Sequence, residues 1–369
     1  MKRLWGIVLV LAMLVSACGR TSGENPMRPK PEGTMDRSFA EEFSVEYYAE
    51  GVSLLTVGGT EEFLLVPKDG EIPSWAGEMT ILRTPMERIY LASSSVADLF
   101  LQLDALDAVC LSSTKASGWN IPELRETVSS GKIAYVGKYS TPDFEQVLQA
   151  KTELAVENTM IYHKPETMEK LEELGVPVLV ERSSYEAHPL GRMEWIKVYG
   201  LLTGREAAAE RFFQNQLAAL QALPEPGERR PTATFFHISA SGPVVVQKPG
   251  DYVSKMIELA GGDYRPAQAE EENALSSMNM EMEAFYTELR DTDILIYNST
   301  IDGGMDTLSD LLEKNPLLAD FKAVKTGNVW CSEQSMFQKT SAAMEMISDF
   351  SRIIQGTDQD QLTYMHRLK

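Results

Sequence analysis

The residues of this chain that can do chemistry sit in short polar turns, each following a brief apolar run. Ser94 and Ser95 follow Ile89-Tyr90-Leu91-Ala92, and Lys115 and Trp119 flank Gly118 after Val109-Cys110-Leu111. Lys138 and Tyr139 follow Ile133 to Val136, and Asn158 and Thr159 follow Leu154-Ala155-Val156. Hydroxyls, amides, ammonium groups and rings offered by several turns at once are the means of holding a small molecule. Each has a plainer reading: a serine there also caps a helix, and Trp119 also packs locally.

Arg182 and Tyr185 lie in the stretch after Val176 to Val180, with Arg192 ten residues on. An arginine fork pairs with carboxylate or catecholate oxygens of an anionic chelate. For Arg192, next to Glu194, a salt bridge is the competing expectation. Later turns offer His237, Ser239 and Ser241, then Asn298, Ser299 and Thr300, then Gln334 and Phe337. One imidazole makes no metal site, and His163, His188 and His366 show no ligand spacing with His237. A ready-made organic complex is therefore expected rather than a naked ion, with neither a resident metal nor a cofactor. The chain lacks a Gly-x-Ser-x-Gly elbow, a His-Glu-x-x-His pair and a phosphate-binding glycine loop, so no catalytic set is assigned. A surface enzyme and a sensory module are the competing functions. The paired methionines, such as Met278, Met280 and Met282, read as flexible core filling.

The elements that must position these turns follow from periodicity. Phe43 to Tyr48, Val52 to Val57 and Glu62 to Val66 read as hairpins, a small antiparallel decoration. From Ile81 onward, short apolar runs alternate with helical stretches, the pattern of a largely parallel sheet covered on both faces. In the helix from Lys164 to Leu174, Met168, Leu171 and Leu174 form an apolar stripe, and Gly175 ends it. Pro189 to Leu223 has no internal proline and predicts a long connecting helix, with Gly200 and Gly204 as places to kink. Beyond Pro224 the strand–helix alternation restarts, so two α/β halves should leave a cleft at the carboxyl ends of their strands.

Of 369 residues, 43% are hydrophobic and 24% charged, an ordinary globular balance with room for two lobes. A formal charge of -20 repels phosphate backbones, so nucleic acid is not an expected partner. Three cysteines make no disulfide scaffold. Lys2 and Arg3 precede an apolar run, Leu4 to Val15, too short to span a bilayer, which closes in Val15-Ser16-Ala17-Cys18. This ending looks like a bacterial lipobox, in which the Cys18 thiol receives a diacylglyceryl group and becomes the first mature residue. The Pro-, Gly- and charge-rich stretch after it reads as a spacer. Cys110 and Cys331 are expected as free, buried thiols.

The order of these elements resembles the substrate-binding proteins of bacterial metal-chelate importers, which carry iron–siderophore complexes, haem or vitamin B12 to an ABC permease. The likeness rests on Arg88-Ile89-Tyr90-Leu91, on Pro142-Asp143-Phe144-Glu145, and on Leu190-Gly191-Arg192-Met193-Glu194-Trp195 opening the connection. Gly261-Gly262 and the stretch from Glu283 to Asp293 before Ile294-Leu295-Ile296 complete it. The resemblance implies two Rossmann-like lobes joined by a single long helix, the class III periplasmic-binding-protein fold, with the hairpins added in front. The expected division is signal peptide 1–17, tether 18–36, first lobe 37–188, linking helix 189–223 and second lobe 224–369. It further implies that Glu145 and Glu283, one acid per lobe, dock on a permease dimer. The chain is then expected to be a non-catalytic monomer, held through Cys18 on the outer face of the cell membrane. Its transported ligand, an iron–siderophore first and cobalamin or haem next, would contain iron or another chelated metal.

Overall fold

A computed structural model describes residues 27–225, 227–267 and 276–369 of the chain. Cys18 and the leader lie outside the described residues. The first element is a sheet of five strands, Gly33–Thr34, Phe43–Tyr47, Ser53–Val57, Glu61–Pro67 and Thr80–Thr84, paired in sequence order. The pairing is antiparallel until the last strand, which lies parallel to Glu61–Pro67. This corrects the expectation of a small hairpin decoration ending before Ile81. Adjacent leucines point to opposite faces of a strand. Leu54 and Leu64 therefore bury with Tyr48 and Val52 on one side, while Leu55 and Leu65 join the core of the first lobe on the other.

The first lobe carries a sheet of five strands, all parallel: Val178–Glu181, Leu154–Asn158, Ile89–Leu91, Val109–Ser112 and Ala134–Tyr135, in that spatial order. The chain starts in the middle, runs to one edge and then returns to build the other. The order reverses between Ile89–Leu91 and Leu154–Asn158, and the crevice at such a switch point is where ligands bind in open α/β sheets. The helix Pro165–Glu173 buries Leu171, and Gly175 follows at φ 79°, as the stripe and its stop require.

The connection differs from the expected single beam. Residues 189–221 form three helices, Pro189–Glu194, Ile196–Thr203 and Glu206–Gln221. Gly204, left-handed at φ 69°, ends the second and lets the chain fold back. Leu190 and Met193 pack into the second lobe's core, and Trp195 to Leu202 pack into the first. Only Glu206–Gln221 runs from one core to the other, through Ala209 on the first side and Phe213 on the second. Its 16 residues reach ~24 Å, about half the expected strut.

The second lobe is mixed rather than parallel throughout. Thr232–Ile238, Ile294–Tyr297 and Val329–Ser332 run parallel in the centre. Antiparallel strands Val244–Gln247, Ser277–Met280 and Met365–Arg367 extend the two sides. Cys110 and Cys331 are free, Cys331 fully buried and Cys110 half-buried. Burial pushes the Cys331 thiol up to about 12, so it stays protonated and inert.

Candidate functional site between the lobes

In both lobes the strand carboxyl ends hand over to the polar turns. After Ile89–Leu91 the chain enters Ser93-Ser94-Ser95, and after the edge strand it enters Arg182 and Ser183. Glu181, buried at the end of that edge strand, joins the two turns. Its Oε1 accepts from Ser93 Oγ at 2.9 Å and Ser95 Oγ at 3.1 Å, and its Oε2 from the Ser183 N–H at 2.9 Å. Ser95 is thereby fixed against the edge strand. Asn158 Oδ1 caps the next turn at the Met160 N–H, 2.9 Å away, with Thr159 half-buried between them. That turn and the one after Glu181 carry Met160, Tyr162 and Tyr185, all large exposed groups.

Two first-lobe expectations change. Trp119 is 2% exposed and packs in the lobe core, so its ring is no cleft platform. Arg182 donates through Nε to Glu42 Oε2 at 2.5 Å and lies 4.5 Å from the Tyr185 ring centroid. It ties the N-terminal sheet to the lobe, and its fork is engaged. Lys138 sits on an exposed two-strand turn with Tyr139 packed beneath it, and Lys115 is exposed.

Across the gap, a cavity of about 240 Å³ opens in the second lobe. Phe235, Phe236 and Phe337 form its apolar wall, and His237, Asn298 and Thr300 bring polar groups to it. Asn298 Oδ1 accepts from the Thr300 hydroxyl at 2.7 Å, which fixes both. Burial lowers the His237 pKa against the opposing pull of Asp302. A neutral imidazole offers one donor and one acceptor. Ser299 is withdrawn from the expected set: it is 1% exposed and its hydroxyl donates to the Ser332 carbonyl. Ser239 and Ser241 face one another at 3.1 Å in a turn at the end of Thr232–Ile238. Among the described residues no cluster of three His, Cys, Asp or Glu side chains could hold a metal ion.

At the base of the gap, Arg192 does not pair with Glu194. Its guanidinium lies 3.9 Å from the Tyr252 ring centroid, and the two line a narrow space with Phe337 and Lys339. Burial raises Asp251, next to Tyr252, to about 6, against the pull of Arg192. Glu194 instead turns to the N-terminal strap, accepting from the N–H groups of Ser38, Phe39 and Ala40.

The segment 334–341 crosses directly to the first lobe. Gln338 accepts the Asn120 N–H at 2.8 Å and donates to the Gly118 carbonyl at 2.8 Å. The Gln334 carbonyl accepts from Asn120 Nδ2 at 3.1 Å. Thr340 Oγ1 donates to the Ser95 carbonyl at 2.5 Å, and the Ser341 N–H to Asp98 Oδ2 at 2.9 Å. Asp98, Asn120 and Gln338 escaped the sequence reading because their partners stand more than 200 residues away. An acid on the apolar run Val96 to Leu106 was the available signal for Asp98.

Glu145 and Glu283 are both exposed, in the first turns of Phe144–Gln149 and Met282–Leu289. In an α/β lobe the helices run counter to the strands, so their N-termini lie at the strand carboxyl edge, the side of the cleft mouth.

The periplasmic binding protein family matches residues 89–332, and the chain belongs to it. Members of this family bind substrates for transport and are not enzymes. Two uncharacterised lipoproteins of Methanocaldococcus jannaschii are similar to it. One is 25% identical over 311 residues, 80% of this chain and 72% of the relative; the other is 26% identical over 363 residues, 90% and 86%. Among solved structures, a periplasmic binding protein of Veillonella parvula superposes with a TM-score of 0.62 at 17% identity, covering 82% of this chain and 97% of that one. The periplasmic haem-binding protein HutB of Vibrio cholerae gives 0.58 at 19%, covering 72% and 98%. The two-lobed class III architecture is therefore that of this chain.

Proposed function

We propose that the protein captures an organic metal chelate between its lobes and delivers it to an ABC importer, while a lipid on Cys18 holds it on the outer face of the membrane. One observation carries the ligand class: a cavity walled by Phe235, Phe236 and Phe337 and tipped with His237, Asn298 and Thr300. Such a site covers the apolar ring system of a chelate and hydrogen-bonds its polar edge. The lipoprotein relatives and the haem-binding structural neighbour support the reading. An iron–siderophore complex is the first ligand to test. Engagement of Arg182 by Glu42 removes one cation that favoured a strongly anionic one, so haem and cobalamin belong in the same panel.

Titration of the protein with ferric siderophores, haem and cobalamin, followed by absorbance and native mass spectrometry, tests the capture step. Retention of one of them at micromolar or lower Kd is the expected result. Retention of none, or turnover of a substrate, overturns it.

A further inference from the structure

We propose that Asp98 is a positioning residue: through its bond to Ser341 it latches the two lobes together and sets the segment 334–341, and with it Phe337, against the ligand cavity. The inference goes beyond the transport reading, and only its link to the cavity depends on that reading.

The segment does two jobs. Phe337, in its middle, walls the ligand cavity, whereas Gln334 and Gln338 on either side meet the first lobe at Asn120 and Gly118, and Thr340 and Ser341 grip it at Ser95 and Asp98. A residue separating the two jobs by so few positions transmits displacement between them. On the first lobe, Ser95 is itself held by Glu181, so the grip reaches the end of the edge strand as well.

Asp98 is a demanding anchor. It is 1% exposed, its Oδ2 accepts the Ser341 N–H, and its Oδ1 has no hydrogen-bond partner among the described residues. The carboxyl lines a cavity of about 190 Å³ between the lobes. Facing it are Lys339, Glu345 and Tyr364 from the second lobe and Glu123 from the first. Lys339, whose ammonium lies 5.4 Å from the centre of the Tyr364 ring, pulls against the burial of Asp98 without forming an ion pair with it among the described residues. Burial pushes Asp98 up to about 7, opposed by the Ser341 bonds and by Lys339.

The sign follows. With the lobes apart, water reaches Asp98 and its pKa returns toward ~3.9. The latched state therefore holds a proton that the separated state releases. Latching is favoured below neutrality and weakens as pH rises through about 7.

The test needs no ligand, so its failure is separate from a failure of the transport reading. Spin labels are attached through a ketone-bearing amino acid at exposed Ser129 and Glu313 of the full chain, and the distance between them is measured from pH 6 to 8.5. In the wild type the longer-distance population should rise several-fold, with a midpoint near neutrality. Asp98→Asn keeps an acceptor for Ser341 and removes the charge, so its distance should stay short at every pH. Asp98→Ala should be long throughout, with near-ultraviolet circular dichroism confirming that the lobes are folded. A wild-type distance unmoved by pH, or an Asp98→Asn variant that follows the wild-type course, overturns the proposal.

Discussion

A Cβ placed on Gly200 would stand 2.7 Å from the Cβ of Ala209. The two residues lie on successive helices, and this contact holds the turn at Gly204 closed. It is the reason the connection is a folded hairpin followed by one bridging helix. Substituting Gly200→Val should destabilise the protein by ~1–3 kcal/mol through overpacking. Chemical denaturation of the single variant and of Gly200→Ala with Ala209→Gly checks it; the paired exchange should recover most of the loss.

Glu194 is fully buried, gathers the N–H groups of Ser38, Phe39 and Ala40, and meets Lys197 Nζ at 3.2 Å. Removing it leaves three backbone donors without their acceptor and takes one of two carboxylates from a buried ammonium, which keeps Glu210 and the Asp36 carbonyl. Glu194→Ala should cost ~3–5 kcal/mol, measured by urea unfolding. Adding Lys197→Met should return part of that.

Glu157 lies buried in the first lobe with neither carboxylate oxygen bonded among the described residues, and burial pushes it up to about 8. The folded state keeps this proton after the unfolded chain, near ~4.3, has lost it. Stability contributed by the neutral acid is thus lost as pH rises from the ordinary carboxylate range to about 8. Thermal unfolding should show a falling Tm across that interval, and Glu157→Gln should flatten it.

On the acid side, burial holds His188 down at about 4, with Phe39 stacked 4.1 Å from it. The unfolded chain takes up a proton first, so stability falls as pH drops from ~6.5 toward that value. Replacing His188 by Asn should blunt this fall in the same unfolding scans.

Phe337→Ala should weaken capture of whichever panel chelate binds by ~10-fold or more, since the ring walls the cavity. Trp119→Phe should leave that Kd near its wild-type value and lower Tm instead, because Trp119 is a core residue. Glu145→Lys with Glu283→Lys should abolish uptake in cells while sparing the Kd, if those acids meet a basic permease surface.

The sequence made the two α/β lobes legible because four-residue apolar runs such as Ile294-Leu295-Ile296-Tyr297 are buried on both faces and announce parallel strands. It marked the turns that follow those strands for the same reason. It could not locate partners. Arg182 looked free because Glu42 is 140 residues distant, and Trp119 looked exposed because its turn contains a glycine. Helix propensity favoured an unbroken rod over 189–223, since the close approach of Gly200 to Ala209 leaves no local trace beyond a small residue.

The strap at 38–42 is gripped by Glu194 and Glu186 at five successive amides, and Phe43 and Leu55 complete the first lobe's interior. Anyone trimming this polypeptide to a portable binding module would be tempted to begin at Ile89, where family similarity starts. That cut would open a hydrophobic wound and strip two acids of their five backbone donors. The minimal unit begins before Ser38.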